Sequence, residues 1–493
     1  MLLNVEQNGQ RRPEHVINYR AVRTPFFCAL NLGRHMQTTS SFSVKKIVLT
    51  ISAIAFSGHL LAAGKPEKED LKFGFIKLTD MAPLAVAYEK GFFEAEGLFV
   101  QLEAQANWKV VMDRVVNGEL DGSHMLASAP LAASTSFGNK SDIITAFSMG
   151  FNGSAITVSN DIWKQMKPNV PQEGGKPVHP IKADALKPVV DKYKSEGKPF
   201  NMAMTFPSGT HNLKLRYWLA AGGINPGFYA PPQDISGQVN ADALLSVTPP
   251  PQMPATLDSG TIFGYCVGEP WNQQSVFKGI GVPVVTDDEL WRDTPEKVFG
   301  VTKEWADKYP NTYLAVTKAL IRAAMWLDAE SNKNRKEAIE MLSQKQYVGA
   351  DVDVLANSMN GVFEYEKGDK RNLPDFNTFF RHGASFPSHS SAVWYLTQLR
   401  RWGMINEFKP DNWYMETAKK VYRPDIYLQA AKELVAEGKA KAEDFPSDAS
   451  IKPSQNFFID KIAFDANKPN DYLSKFAIGL KNKQTVVGGK ISD

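Results

Sequence analysis

Short apolar runs alternate with helical periods of apolar residues along much of the chain. Residues 71–76 predict a first strand, and the apolar residues that follow, Leu84, Ala87 and Phe92, share one helical face. The same order returns at residues 200–206, a predicted strand, and 210–221, a predicted helix. After residue 310 long helical periods dominate. The pattern fits two α/β lobes with a ligand cleft between them and a helical C-terminal part, and it fits many enzymes as well.

The chain is expected to divide into a leader and two lobes. We expect a leader over residues 1–64, the first part of lobe 1 over 65–155, and lobe 2 over 156–295. Residues 296–435 would return to lobe 1 as a mainly helical segment, and 436–493 would form a C-terminal tail.

The leader contains the features of a secretory signal peptide at about residues 45–64. Lys45 and Lys46 precede an apolar run that ends in small residues. The alternative is an uncleaved membrane anchor, but the run is interrupted by polar residues and is short for a span of about 20 residues. Met36 offers an alternative start of translation just before it.

Removing the leader changes the charge of the protein. The whole chain has 56 Lys and Arg against 53 Asp and Glu, a net charge of +3. Without residues 1–64 there remain 49 basic and 51 acidic residues, a net charge near −2. No basic run is left, so we expect no nucleic acid partner. Cys28 leaves with the leader, so Cys266 cannot form an internal disulfide.

Several signatures of enzymes do not occur in the sequence. It contains no phosphate-binding G-x-x-x-x-G-K-[ST] loop, no G-x-S-x-G, no G-x-G-x-x-G, no C-x-x-C and no H-E-x-x-H. We therefore expect no catalytic residues, and the chain is not itself expected to be the ATPase of a transporter.

The junction between a predicted strand and helix at residues 206–211 is the first candidate binding segment. Free N–H groups at a helix start, together with Gly209 and the hydroxyls of Ser208 and Thr210, would form a cradle for an oxyanion. His211 would add a further donor. An ordinary helix cap is the alternative.

Two other segments carry polar or aromatic groups near predicted element ends. Trp108 begins a predicted helix, where its ring would wall a small pocket or simply pack at an interface. Asn152, Gly153 and Ser154 follow a strand and would supply small polar donors or form a surface turn.

Gly268, Glu269 and Trp271 follow an apolar strand, and open α/β sheets bind ligands at the carboxyl ends of strands. Glu269 would repel an anion unless it were protonated or a cation stood between them. Its alternative role is to cap the following turn.

Ordered sequence blocks give the chain a resemblance to a known family. The chain resembles the nitrate- and bicarbonate-binding proteins of ABC importers over roughly residues 70–428 in the blocks GFIKLTDMAPLAVAYEKGFFEAEGL, QANWKVVMDRVVNGELDGSHML, TFPSGTHNLKLRYWLAAGGINP, VTPPPQM, GYCVGEPWN, PEKVFGVTKEWADKYPNT, FPSHSSAVWYLTQLRRWG and YRPDIY.

The resemblance implies a type II periplasmic-binding-protein fold, in which two crossovers join the lobes. It further implies a periplasmic monomer that hands a small oxyanion to an ABC permease driven by a separate ATPase. It also implies ligand contacts from Trp108, the stretch from Asn152, His211 and the segment from Gly268 to Trp271. No cofactor is expected, with calcium as the one conditional exception.

One position divides the family, because nitrate receptors place a Lys near the ligand where bicarbonate receptors have a Glu and use calcium. We assign this position to Glu269, which would then be a metal ligand if binding is assisted by a cation.

The leading hypothesis is a receptor for nitrate or nitrite in nitrogen assimilation. The alternatives are calcium-assisted bicarbonate binding, sulfonate or taurine binding, a periplasmic sensor domain, and an enzyme similar to the synthases of the thiamine pyrimidine precursor. That last family relies on a Cys-rich motif, which a lone Cys266 does not provide.

Overall fold

The computed structural model describes residues 64–135, 137, 140–447, 449–452, 455–481 and 483–492. The predicted leader and its signal peptide lie outside the described residues, except for Gly64. None of the described helices combines the length and the apolarity needed to cross a membrane.

The strands are short and are spread over the whole chain. Their bounds are β1 (Asp70–Phe75), β2 (Phe99–Ala104), β3 (Gly122–Leu126), β4 (Ile143–Asn152), β5 (Ser154–Ser159), β6 (Gln172–Glu173), β7 (Lys176–Pro177), β8 (Asn201–Met204), β9 (Phe228–Ala230), β10 (Asp234–Val239), β11 (Leu244–Val247), β12 (Gly264–Gly268), β13 (Gly281–Thr286), β14 (Pro295–Thr302), β15 (Val362–Glu364), β16 (Lys370–Asn372), β17 (Asn377–Thr378), β18 (Thr485–Val487) and β19 (Lys490–Ser492).

The helices alternate with these strands and then dominate the C-terminal part. Their bounds are α1 (Ala82–Glu89), α2 (Trp108–Val116), α3 (Ala129–Ala133), α4 (Asn160–Met166), α5 (Lys187–Ser195), α6 (Thr210–Ala221), α7 (Met253–Asp258), α8 (Trp271–Lys278), α9 (Asp287–Leu290), α10 (Lys303–Lys308), α11 (Pro310–Asp328), α12 (Arg335–Leu342), α13 (Val352–Met359), α14 (His389–Arg401), α15 (Asp411–Val421), α16 (Pro424–Ala436) and α17 (Pro469–Ser474).

Two mixed sheets form the centres of two lobes. The six-stranded sheet of lobe 1 has the order β17-β4-β14-β3-β1-β2, and the five-stranded sheet of lobe 2 has the order β11-β8-β12-β5-β13. In lobe 1, β1 runs parallel to β2 and β3, whereas β14 is antiparallel to β3 and β4. Every residue of β4 is buried, because helices cover both faces of this sheet.

The chain crosses between the sheets twice. It leaves lobe 1 at the end of β4, and Gly153 alone separates β4 from β5. It returns through the residues between β13 and β14, which include α9. The predicted α/β class with two lobes and a helical C-terminal part is confirmed.

Residues 160–199 of lobe 2 are rich in Lys, Pro and Gly, yet they contain α4 and α5. These helices bury Ile162, Trp163, Val189 and Val190 against the core of the lobe. Both helices are amphipathic, because charged residues occupy their outer faces.

The C-terminal part packs against both lobes. Helix α14 contacts α3 of lobe 1 and α6 of lobe 2. Trp394 of α14 lies 4.2 Å from Trp291, measured between ring centroids, and stacks on Phe458 at 5.9 Å. Aromatic packing therefore supports the region in which the two lobes meet.

Candidate functional site

A cluster of buried polar side chains lies where the two lobes meet, and we call it the interlobe cluster. Each member is less than a tenth exposed. Lobe 1 contributes its larger part, lobe 2 contributes part of α6, and the second crossover contributes one carboxyl group. The members are Asp80, Trp108, His124, Thr210, His211, Lys214, Asp287, Glu296 and Lys297.

Trp108 forms the aromatic wall of the cluster. It is the first residue of α2, whose start is capped by the side chain of Asn107, which accepts a hydrogen bond from Val110 N at 3.0 Å. Its ring packs edge-on against His124 at 5.2 Å, and the ammonium of Lys297 lies 5.9 Å from its centre. Trp108 Nε1 is buried and has no hydrogen-bond partner among the described residues. The indole N–H is thus a donor that faces no protein acceptor.

Asp80 holds two basic side chains of lobe 1. Its carboxylate lies 2.7 Å from His124 Nε2 and 2.6 Å from Lys297 Nζ. Burial opposes ionisation of Asp80, but Lys297 and His124 outweigh that effect and lower the pKa of the carboxyl group. Burial lowers the pKa of His124, so its imidazole is neutral near pH 7.

His211 is the second residue of α6 and faces lobe 1 from lobe 2. Its Nδ1 lies 2.9 Å from Thr205 Oγ1, and its Nε2 lies 2.9 Å from Glu296 Oε1 and 3.3 Å from Ser154 Oγ. Burial lowers the pKa of this imidazole despite the nearby Glu296, so His211 is also neutral near pH 7.

Glu296, on β14, connects the two halves of the cluster. Its carboxylate contacts Lys297 Nζ at 3.2 Å within lobe 1 and accepts hydrogen bonds from Thr210 and Lys214 of lobe 2. Burial alone would raise its pKa. His211, Lys214 and Lys297 have a larger, opposite effect and hold the pKa well below its ordinary value. The lobes therefore meet through an ionised, fully buried carboxylate.

Asp287, in the second crossover, shares Lys214 with Glu296. Lys214 Nζ lies 2.6 Å from Asp287 Oδ2. Burial raises the pKa of Asp287 to about 7 against the effect of Lys214, and the neighbouring Glu296 adds to the rise. Asp287 is consequently the carboxyl group of the cluster that titrates near neutral pH.

Most of the predicted lobe 2 residues lie at this interface. The carbonyl of Ser208 accepts a hydrogen bond from Ser128 Oγ of lobe 1 at 2.6 Å, and a Cβ added at Gly209 would meet the side chain of Leu126. Trp271 Nε1 donates to the carbonyl of Lys77 at 2.9 Å.

Gly268, at the end of β12, brings the backbone of lobe 2 close to the cluster. A Cβ there would lie 3.3 Å from Asp80 Oδ2 and 3.6 Å from Lys297 Nζ. The structure therefore places Gly268, Ser154, Thr210 and His211 at the cluster. In the sequence, these residues were candidate ligand contacts only because of their local context.

Asn152 and Gly153 lie at the first crossover and are not joined to the cluster by any described hydrogen bond. Asn152 has a φ of 62°, its Oδ1 accepts from Thr294 N at 3.2 Å, and its Nδ2 donates to the Asp375 carbonyl at 2.9 Å. Gly153 N donates to the Phe376 carbonyl at 2.7 Å. These contacts fix the first crossover to lobe 1.

The Glu269 side chain is also not joined to the cluster by any described hydrogen bond, although its backbone carbonyl accepts from Thr79 N at 2.8 Å. Glu269 Oε2 accepts from Gln273 N at 3.1 Å, and Oε1 has no partner in the described part of the chain. Burial raises its pKa from 4.5 to about 8, so the carboxyl group is largely protonated at neutral pH.

The surroundings of Glu269 do not fit calcium. This ion takes six to eight oxygen ligands, including ionised carboxylates. Glu269 offers a single buried carboxyl group, and no three His, Cys, Asp or Glu side chains in the described ranges are grouped as a metal ion requires. The charged group beside Trp108 is instead Lys297.

Sequence reasoning missed most of the charged members of the cluster. The sequence pattern places Asp80 at a helix start, but its carboxylate holds His124 and Lys297. Glu296 and Lys297 are adjacent charges near the start of the otherwise apolar strand β14, which is buried except at its last residue. Charged residues inside an apolar segment are the signal in the PEKVFG stretch that could have pointed to them, because such residues are rarely buried unless they are paired.

The comparisons agree with this architecture. The sequence profile of the NMT1-like family matches residues 64–343. The nitrate/nitrite binding protein NrtA of Nostoc sp. is 34% identical over 84% of this chain and 87% of its own length. The nitrate import ATP-binding protein NrtC of Synechocystis sp. is 35% identical over 87% of this chain, which spans 58% of that relative.

A solved structure is also similar over its whole length. The crystal structure of the periplasmic nitrate-binding protein NrtA from Synechocystis PCC 6803 superposes with a TM-score of 0.73 at 30% identity, covering 84% of this chain and 100% of that one. The resemblance to binding proteins of ABC importers and the predicted periplasmic-binding-protein fold are thereby confirmed. The chain belongs to the NMT1-like family.

Proposed function

We propose that this protein is the periplasmic receptor of an ABC importer and captures nitrate or nitrite between its lobes. It delivers the anion to a membrane permease served by a separate ATPase and makes or breaks no covalent bond. The proposal is supported by the relatives, among which NrtA of Nostoc sp. is named a nitrate/nitrite binding protein.

The observation that carries the proposal is the pairing of Trp108 with Lys297. Trp108 Nε1 is a buried donor without a described acceptor, and the Lys297 ammonium lies over the same ring. An ammonium has three N–H donors, of which described contacts with Asp80 and Glu296 account for two. A buried anion needs several donors, and the indole and the ammonium supply them side by side.

Lys297 favours a monovalent anion bound without a metal. A fixed positive charge stabilises a buried anion directly, whereas a carboxylate in this place would need a cation as an intermediary. Glu269, which would have played that part, is largely protonated at neutral pH. Nitrate and nitrite therefore rank above calcium-assisted bicarbonate binding.

Sulfonate binding and cysteine-dependent catalysis fit the site less well than nitrate binding. A sulfonate needs an apolar slot beside its anionic group, but charged side chains surround Trp108 and Lys297. An enzyme that depends on a reactive cysteine would need an accessible thiolate, whereas Cys266 is fully buried and burial raises the pKa of its thiol.

Calorimetry tests this proposal. The mature protein is titrated with nitrate, nitrite and bicarbonate, each with calcium and with a chelator. We expect nitrate and nitrite to bind equally well in both conditions. Bicarbonate binding that requires calcium, with no heat from nitrate, would reverse the ranking. Absence of binding by all three would direct the search to sulfonates, to sensing or to catalysis.

A further inference from the structure

The interlobe cluster contains no spare positive charge. Lys297 contacts Asp80 and Glu296, and Lys214 contacts Glu296 and Asp287, so two ammonium groups face three carboxyl groups. All five side chains are buried. A monovalent anion that enters this cluster adds a further negative charge where solvent cannot compensate it. A proton would supply this compensation, and its candidate sites are Asp287, which already titrates near neutral pH, and the two neutral imidazoles.

The contacts of His124 with Asp80 and Ile76 prevent it from taking that proton. Its Nε2 faces Asp80, and its Nδ1 accepts a hydrogen bond from the backbone N–H of Ile76 at 3.4 Å. A backbone N–H can only donate, so Nδ1 must remain an acceptor. Protonation of His124 Nδ1 would place its N–H against the backbone N–H of Ile76, and neither group could accept a hydrogen bond. The structure thus holds His124 as the neutral Nε2–H tautomer.

The surroundings of His211 are different, because both of its ring nitrogens face groups that can accept. Nε2 lies 2.9 Å from the ionised Glu296 carboxylate and 3.3 Å from Ser154 Oγ, and both oxygens can accept from an N–H. Nδ1 faces the hydroxyl of Thr205, which donates to a neutral ring and can rotate to accept from a protonated one. An imidazolium at His211 therefore finds an acceptor for each N–H without any movement of the backbone.

We propose that anion capture is coupled to uptake of one proton by His211, so that the site takes up the anion and a proton together. This inference rests on the proposed function and identifies the proton as a second ligand of the same site. It follows that the affinity for nitrate falls as the pH rises above the pKa of the unliganded imidazole.

The groups around His211 explain why it is neutral before the ligand arrives. Lys214 lies one turn further along α6, Lys297 approaches from β14, and the positive end of the α6 dipole lies at His211 itself. Glu296, on β14, is the opposing negative group, while Thr205 and Ser154 contribute uncharged hydroxyls. Burial is the largest cause of the lowered pKa of the ring, and the two cations add to it. A bound anion shifts this balance towards the imidazolium.

Calorimetry in buffers with different ionisation enthalpies counts the protons. At pH 7 to 8 we expect the wild type to take up about one proton per nitrate, and its Kd to rise about tenfold per pH unit. In His211→Gln the proton count falls to near zero and the pH dependence is lost. His389→Gln replaces a buried histidine of α14, whose Nε2 faces the Tyr422 carbonyl, and should keep the wild-type proton count.

A second readout does not depend on the folding of a variant. Wild-type protein labelled with ¹⁵N-histidine should show the His211 resonances change from neutral imidazole to imidazolium when nitrate is added at pH 7.5. The His124 resonances should remain those of a neutral ring. A spectrum in which His211 stays neutral in the nitrate complex would contradict the proposal.

The calorimetric outcomes separate this inference from the proposed function. Nitrate binding without proton uptake would overturn the inference and leave the proposed function intact. Proton uptake that persists in His211→Gln would assign the proton to another group, with Asp287 next, and would also overturn it. Absence of nitrate binding by the wild type would overturn both.

Discussion

Glu296 of lobe 1 lies 2.9 Å from His211 of lobe 2, carboxylate oxygen to imidazole nitrogen, and both side chains are buried. The same carboxylate accepts a hydrogen bond from Lys214. A contact of this kind exists only while the lobes are closed. Closure and assembly of the site are therefore one structural event.

The first prediction concerns this contact. In Glu296→Gln, Lys214 and Lys297 lose a shared counter-charge inside the protein, and breaking a buried ion pair on one side costs about 3 to 5 kcal/mol. We expect the free energy of unfolding in urea to fall by that amount. Glu304→Gln, at an exposed position of α10, should change it by less than about 0.5 kcal/mol. Equal stabilities of the two variants would show that the lobes do not meet through Glu296 in solution.

The second prediction concerns the indole donor. Trp108→Phe keeps an aromatic ring against His124 but removes Nε1–H. Because a hydrogen bond to a charged group contributes about 1.5 to 3 kcal/mol, we expect the Kd for nitrate to rise between about tenfold and 100-fold.

Trp163→Phe is the matched control for the indole. Trp163 is buried in α4, and its Nε1 likewise has no described partner, but it belongs to the outer part of lobe 2. Its nitrate affinity should equal that of the wild type. A similar loss in both variants would indicate a general effect of removing a buried indole.

The sequence predicted the architecture better than the site. Segments such as residues 71–76 and 210–221 could be predicted because their apolar residues recur at the spacing of a strand or a helix, and this spacing is visible in the sequence itself. The amino end of α6 could be placed at the interface because Ser208, Gly209, Thr210 and His211 join a strand to a helix, and that junction faces the other lobe.

The charged members of the site could not be predicted in the same way. Asp80, His124 and Lys297 belong to different strands or turns and meet only after lobe 1 has folded. A lone buried charge looks like a surface residue in sequence until its partner is known. The assignment of the specificity position to Glu269 rested on the family resemblance without an alignment, whereas the structure places the Lys297 ammonium beside Trp108.

The third prediction concerns the fixed cation. Lys297→Met removes the ammonium beside Trp108, and truncation of one partner of a buried charge pair costs about 2 to 5 kcal/mol in binding, so we expect at least a roughly 30-fold rise in the Kd for nitrate. The double variant Lys297→Met with Asp80→Asn neutralises both partners. It should recover stability, because no unpaired carboxylate remains, but it should not recover affinity. Wild-type affinity in the double variant would show that Lys297 serves folding alone.

The fourth prediction concerns Glu269. Its folded-state pKa is raised from 4.5 to about 8 by burial, so the folded protein holds this proton more tightly than the unfolded chain. Its contribution to stability is fully present below pH 4.5 and is lost as the pH rises through 8. Between these values the free energy of unfolding should fall by up to about 1.4 kcal/mol per pH unit.

Glu269→Gln isolates this contribution, because glutamine stays neutral at every pH. The variant should lack this decline, so its stability relative to the wild type should increase from pH 5 to pH 8 in urea denaturation. Nitrate binding by the variant should not respond to calcium or chelator. Parallel stability profiles for the two proteins would mean that Glu269 is ionised in the folded state.

The central claim is that the interlobe cluster holds the anion, and a crystal structure of the mature protein with nitrate tests it most directly. We predict nitrate between the lobes, within hydrogen-bond distance of Trp108 Nε1 and Lys297 Nζ. Nitrate bound elsewhere, with Trp108 Nε1 and Lys297 Nζ contacting only protein or water, would contradict it.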